Sequence, residues 1–409
     1  MPVDLARTLL WEACPVGERP GQGNIERVPL LDSVGRVTAA PIYALEHSPP
    51  FDRAAVDGYA FRWQDLSDAG GRLAVAGDVT AGGIPPSRPL AGQAWQVATG
   101  APLPAGTDTV VRLEDVSRAG SHIQVKSHPQ QGANVASMGE DFRRGEVLID
   151  RGTTVRARHI GLLAAAGHAR VPVIRRPTVA VVATGGEVVN PGEPRAGTQV
   201  WNATAFGVAA AVAEAGATPV LYGPCRDCVD AIVELVSQAL DGSDLVITTG
   251  GASVGEHDVT RQAMAALGGR ELFWGVAMKP GTAMFAAVVG STLVAGLSGY
   301  PAAALTQFDV LIRPVLARML GSTSEPVRVR ATLASPVPQA KGLTRFFRVR
   351  VSYREGAFRA TLLKGQKAGV LTGVARANGL LRVEAGEGPM DTGQEVEVQL
   401  LDTGGDGLA

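Results

Sequence analysis

Cysteine is nearly absent: Cys14, Cys225 and Cys228 are the only three in 409 residues. Three cannot build a disulfide framework, so a reducing compartment, the cytoplasm, is the expected location. No apolar run approaches the roughly 18–20 residues that span a bilayer. The opening Met-Pro-Val-Asp-Leu-Ala-Arg lacks the apolar core of a signal peptide. An excess of either charge is missing too: 38 Lys and Arg against 39 Asp and Glu leave a formal net charge of −1. That excludes the electrostatic footprint of a protein bound to nucleic acid or to an anionic membrane surface. Lysine is rare, confined to Lys126, Lys279, Lys341, Lys364 and Lys367. In so arginine-rich a chain, codon bias is a poor explanation for Lys279 in its Gly-Pro loop. There is no Gly-Lys-Ser/Thr of a Walker A loop, no Gly-x-Gly-x-x-Gly, no heptad and no solenoid repeat.

What is present suits a soluble chain of two to four domains, with 45% hydrophobic residues to supply their cores. A helical pattern opens residues 1–45 (Leu5, Leu9, Leu10), followed by an extended Val28-Pro-Leu-Leu segment. Residues 46–140, rich in Gly, Pro and Val with short polar turns, predict a small β-rich module. Glu146-Val-Leu-Ile predicts another strand, Arg156 to Gly167 a helix, and Val171 to Pro177 a linker. From 178 to about 320 strands and helices alternate. Strands are expected at 178–183, 218–222, 245–247, 271–277 and 292–295, and helices at 203–215, 227–240 and 259–267. Such alternation implies a mainly parallel sheet with helices on both faces and ligands at the carboxyl ends of its strands. Residues 325–402 return to period-2 runs and predict a small antiparallel domain.

Four loops should therefore share one edge of the sheet: Ala183-Thr-Gly-Gly-Glu187, Thr248 to Asp258, Lys279-Pro-Gly-Thr282 and Gly296-Leu-Ser-Gly-Tyr-Pro301. They offer glycines whose N–H groups can approach an anion, hydroxyls, carboxylates and one lysine, a set that suits a phosphorylated ligand with a divalent metal. Glu256 and Asp258 stand where magnesium could bridge carboxylate and phosphate. Asp227, taken alone, reads as a helix N-cap, and it also has the option of facing the crevice. Asp57 before glycine and Thr99 heading a Pro/Gly loop read in isolation as turn residues. Cys225-Arg-Asp-Cys228 lacks the second cysteine pair of a zinc site, and an inert pair is expected. His257 reads as a solvated loop residue.

Taken together, the motifs resemble the molybdopterin molybdenumtransferases, the MoeA-type family that includes the E domain of gephyrin. The marks are Pro50-Phe-Asp…Asp57-Gly-Tyr-Ala60, Thr99-Gly-Ala-Pro102, Gly139-Glu-Asp141, Thr184-Gly-Gly-Glu187, Arg226-Asp227, Thr249-Gly-Gly-Ala-Ser-Val-Gly-Glu-His-Asp258, Lys279-Pro-Gly281 and Gly296 to Pro301. They run nearly end to end. The resemblance implies a three-layer α/β molybdopterin-binding domain (177–321). It sits between β-rich N-terminal modules, made of a discontinuous linker/helical domain (1–45 with 141–176) and a β-rich inserted domain (46–140), and a small C-terminal β domain (322–409). It implies a homodimer acting on adenylylated molybdopterin and molybdate, in which a divalent metal such as Mg2+ assists pyrophosphate cleavage and AMP leaves. Molybdopterin is then a substrate rather than a resident cofactor, and other proteins of molybdenum-cofactor biosynthesis are expected partners.

By the same resemblance Glu187, Asp227 and Asp258 handle metal or phosphate and Lys279 holds anionic ligand. Asp57, Thr99 and Asp141 reach in from the other subunit, and Arg348 lies near molybdate. Thr184, Gly185, Thr249, Gly250, Gly251, Ser253, Gly255, Gly281, Ser298 and Gly299 would bind the substrate. The chain departs from the family pattern at Ala136, Gly186, Trp201-Asn-Ala-Thr204, Gly275, Thr282-Ala283, Tyr300 and Ala368, mostly by losing a charge or a hydroxyl. An enzyme is therefore weighed against a second expectation, a paralogue that binds pterin nucleotide as a scaffold or carrier. The retained carboxylates favour the first, and the lost cations favour the second.

Overall fold

The computed structural model describes residues 1–14, 24–84, 88–251, 259–322 and 326–401. The chain forms two compact units, Arg27–Val173 and the remainder, Met1–Glu26 with Ile174–Ala409.

Within the unit Arg27–Val173, a six-stranded sheet runs in the order Thr109–Arg112, Gly58–Phe61, Gln93–Val97, Arg72–Val79, His122–Val125, Val116–Ala119. Alternation puts Tyr59 and Phe61 into one core and Ala60 into another, so both faces of the sheet are covered. A separate cluster of Ile42, Ile149, Leu163, Val171 and Val173 gathers the helix Ala157–Ala165 and the strand Val147–Ile149. The segment expected as a linker is in fact the strand Arg170–Ile174, paired with Ile25–Pro29. Val171 and Val173 are fully buried, and this period-2 burial overrides the Pro172 and Pro177 that suggested a connector.

In the other unit the α/β sheet has the order Thr218–Cys225, Thr178–Thr184, Leu245–Thr249, Thr292–Leu297, Phe285–Val289, Arg270–Trp274. Pairing is parallel across the first four strands and antiparallel on both sides of Phe285–Val289. Phe285–Val289 was not anticipated. Its Phe-Ala-Ala-Val-Val run has no polar alternation, because the strand is covered on both faces, and Gly290-Ser291 turns it into Thr292–Leu297. The central strands are apolar throughout for the same reason. Val179, Val181 and Ala183 face one helical layer, and Ala180 and Val182 face the other. The first layer holds Ala203–Glu214 and Val3–Ala13, whose Val3, Ala6 and Leu10 are buried there, and the second holds Val229–Leu240 and Val259–Ala266.

The C-terminal sheet closes on itself: Thr344–Arg354 pairs with both Ala357–Leu362 and Gly379–Val383. It is mostly antiparallel, as expected, with parallel pairings between Arg328–Leu333 and Ala357–Leu362 and between Met278–Lys279 and Thr344–Arg354. Among the described residues no helix is long and apolar enough to cross a membrane.

Candidate functional site

A cavity of about 690 Å³ opens at the carboxyl edge of the parallel strands, within the range of small-molecule sites. Thr184, Gly185, Glu187, Asp227, Thr249, Gly250, Gly251, Ser298 and Gly299 line it together. Four strands therefore bring their exit loops to one place. The packing is backbone on backbone. Gly250 has φ +93°, a Cβ there would lie 2.7 Å from the Thr184 carbonyl oxygen, and a Cβ on Gly299 would lie 3.3 Å from Gly250 Cα. Only glycine lets these turns approach so closely.

Two of the threonine hydroxyls on the cavity also reach across the sheet at long hydrogen-bond distance. Thr184 Oγ1 donates to the Thr249 carbonyl at 3.4 Å, and Thr249 Oγ1 to that of Val182 at 3.5 Å. Two N–H groups are spent: Gly185 N–H donates to Cys225 O at 3.0 Å and Gly250 N–H to Leu297 O at 3.2 Å. Donors for an anion come from another feature, the start of helix Ala203–Glu214, whose Asn202, Ala203 and Thr204 line the cavity. Asn202 Oδ1 accepts from Ala205 N–H at 3.2 Å and caps the helix, while Ala203 and Thr204, in the first turn, have no intrahelical acceptor for their N–H groups. Thr204 Oγ1 donates to Gly299 O at 2.7 Å and ties this helix to the Ser298-Gly299 turn. Asn202, Thr204, Trp201 and Tyr300 were not singled out as site residues. Asn202 before an alanine-rich helix was the readable signal.

Among the described residues Glu187 and Asp227 are the two carboxylates on the cavity, and both are exposed. The Glu187 carboxylate folds back over Gly185, 3.0 and 3.1 Å from where a Cβ would stand on that residue. Asp227 is not the helix cap. Cys228 holds that position before Val229–Leu240 without any side-chain cap, which leaves Asp227 facing the cavity. Burial, then the charge of Asp227, then Cys228 push the Cys225 thiol up to about 11, so it stays protonated at neutral pH and is a poor nucleophile. No cluster of three or more His, Cys, Asp or Glu with metal-holding geometry occurs among the described residues. Ser253, Gly255, Glu256, His257 and Asp258 lie outside those residues.

Lys279 and Gly281 do not line the cavity, although Ala283 of the same loop does. Lys279 is exposed on the short strand Met278–Lys279, paired with Thr344 and Arg345 of the C-terminal sheet. Gly275, where the family pattern has lysine, has φ +86° and donates its N–H to Met284 O at 2.7 Å. The position is a tight turn that a side chain would strain. Arg348 is 1% exposed inside the C-terminal sheet. Its Nη2 donates to Gly365 O at 2.7 Å and to Lys367 O at 3.2 Å, and burial draws its pKa below the usual value. It thereby braces the loop that carries Gly369 onto the cavity wall.

In the unit Arg27–Val173, Asp57 Oδ1 accepts from Thr99 N–H at 2.6 Å and from Thr99 Oγ1 at 2.8 Å. These bonds hold the Asp57 carboxyl below the usual range. Asp141 is exposed in the same unit, with Ser48 Oγ 3.5 Å from its Oδ2.

Gln307 fastens the site from beneath and was also missed. It is fully buried, its Oε1 accepts from Ser298 N–H at 2.8 Å, and its Nε2 donates to Gly281 O and Ala283 O, each at 2.8 Å. Gln307→Ala leaves the buried Ser298 N–H and the half-buried Gly281 and Ala283 carbonyls without this partner and is expected to cost about 2–3 kcal/mol, since a buried orphan costs roughly 1–3 kcal/mol. A urea unfolding midpoint equal to the parent's would contradict that role.

A three-layer α/β domain with a glycine-walled, carboxylate-bearing cavity at its strand ends belongs to the class of open α/β sheets whose ligand sites lie at that edge. Residues 180–318 match a probable molybdopterin binding domain, residues 1–167 the MoeA N-terminal region (domain I and II), and residues 330–401 the MoeA C-terminal region (domain IV). The chain belongs to the MoeA family. It is 35% identical over 389 residues to the molybdopterin molybdenumtransferase of Bacillus subtilis, covering 93% of this chain and 90% of that one. It is 29% identical to the enzyme of the same name from Staphylococcus aureus strain COL, covering 92% and 91%. A crystal structure of the molybdopterin biosynthesis MoeA protein from Pyrococcus horikoshii aligns over 99% of this chain and 100% of its own, at TM-score 0.86 and 32% identity.

Proposed function

We propose that the protein is a molybdopterin molybdenumtransferase of molybdenum cofactor biosynthesis, which inserts molybdate into adenylylated molybdopterin with release of AMP. One observation carries this: a helix N-terminus and two carboxylates face the same 690 Å³ cavity in a chain related over nine-tenths of its length to transferases of that name. The first-turn N–H groups of Ala203 and Thr204 would hold phosphate at the positive end of the helix dipole. The oxygen donors of Glu187 and Asp227 fit magnesium, which takes one or two carboxylates and completes its shell with water and substrate phosphate. Held by these two carboxylates, a metal would supply neutralisation of charge on the pyrophosphate, and the family resemblance assigns the same role to Asp258. The relatives' names favour this enzyme over a non-catalytic scaffold.

The family resemblance further supports a homodimer in which the partner subunit's Asp57, the partner subunit's Thr99 and the partner subunit's Asp141 complete the site. The exposed, hydrogen-bonded Asp57–Thr99 pair is available for such a role. The test is to incubate purified protein with adenylylated molybdopterin, molybdate and magnesium, and to follow AMP while light scattering reports the mass. AMP release that requires magnesium, from a species of twice the 42.3 kDa chain mass, is expected. Nucleotide binding without AMP release would instead indicate the scaffold.

A further inference from the structure

Two aromatic side chains on the cavity wall have no role in the account so far. Trp201 lies on the short strand Val200–Trp201, paired in parallel with Val188–Val189, and Tyr300 precedes the helix Pro301–Gln307. Both line the cavity, yet they stay 45% and 65% exposed. Among the described residues neither ring stacks on another aromatic ring.

Both are held in place. The Arg195 guanidinium lies 5.6 Å from the Trp201 ring centroid and is itself anchored by a bond from Nη1 to Gln199 O at 3.1 Å. Arg195 is not on the cavity wall and Trp201 is, so the cation backs the indole while the ring remains open to the cavity. Tyr300 N–H donates to Ser298 Oγ at 3.2 Å, and a Cβ on Gly369 would lie 3.5 Å from the Tyr300 ring, so the phenol rests against the Gly369 backbone. Fixed, half-exposed aromatic faces lose little entropy on binding a flat ligand, and every nucleobase-like ring has a π-face to offer them.

We propose that Trp201 and Tyr300 form an aromatic platform that binds a planar heteroaromatic ring of the substrate beside its phosphates. The proposal rests on the function above. Adenine and pterin share the required chemistry, and the experiment separates them.

The experiment is calorimetry in magnesium with three probes: AMP, 6-hydroxymethylpterin and ribose 5-phosphate, which has no aromatic ring. Trp201→Ala should weaken at least one ring-bearing probe by roughly tenfold to a hundredfold. Ribose 5-phosphate should bind as it does to the parent, and Trp201→Phe should recover most of the loss. Tyr300→Ala should weaken the same probe. A loss confined to AMP seats adenine on the platform, and one confined to the pterin seats that ring. If both alanine variants bind every ring-bearing probe as the parent does, the platform is overturned and the functional reading survives. An equal loss for ribose 5-phosphate also overturns it, because the effect then does not depend on the ring. If the parent binds none of the three probes, the platform and the functional reading fall together.

Discussion

Glu187→Gln and Asp227→Asn should each lower magnesium-dependent AMP release by a hundredfold or more while leaving the protein folded. Both carboxylates line the cavity, and both are exposed. On the proposed reading each amide keeps a carbonyl oxygen but loses the negative charge that would hold the metal, whose stabilisation of developing charge is worth several kcal/mol, and about 2.7 kcal/mol already corresponds to a hundredfold in rate. Both side chains are exposed, where substitutions usually cost far less stability than in the core, and the amides are isosteric with the carboxylates, so the variants should stay folded. The check is the rate of AMP release at saturating magnesium, beside a urea unfolding curve for each variant. A variant that keeps a parent-like rate would remove that residue from the metal site. Partial recovery at higher magnesium would place the defect in metal affinity.

Gly250→Ala should damage the site through geometry instead of charge. Gly250 sits at φ +93°, where an alanine is strained by roughly 1–2 kcal/mol. The new methyl would stand 2.7 Å from Thr184 O and 2.9 Å from Thr184 Oγ1, so one loop must move. The sheet core beneath is built from Val179, Val181, Leu245 and Ile247 and does not depend on that loop. We therefore expect AMP affinity to fall at least tenfold while the urea midpoint shifts by the equivalent of about 2 kcal/mol. Calorimetry with parent-like affinity would show that the close approach of the Gly250 and Thr184 turns does not shape the site.

The α/β domain was legible because its strands are apolar on both faces and its helices carry one-sided patterns, as in Ile232 and Val236. The meeting of Thr184, Gly250 and Ser298 was legible because each follows such a strand. What escaped is set by contacts distant in sequence. Gln307 looks like one more helix residue until its amide is found bridging Ser298, Gly281 and Ala283. Thr184 and Thr249 line the cavity as the sequence suggested, but their reach to the strand carbonyls of Thr249 and Val182 is not visible in the sequence. Val171 and Val173 look like linker residues because Pro172 lies between them, although both are buried in a strand. Lys279, singled out because lysine is rare, stands on a strand of the C-terminal sheet and off the cavity wall.

The central claim is that the cavity between Thr184, Gly250, Gly299 and the start of helix Ala203–Glu214 holds the phosphate of the substrate together with a divalent metal. The most direct measurement is a crystal structure of the protein with AMP and magnesium. The account predicts AMP phosphate within hydrogen-bond distance of the Ala203 or Thr204 N–H, and magnesium bound, directly or through water, to Glu187 and Asp227. AMP found elsewhere on the chain, with these groups facing only solvent, would contradict it.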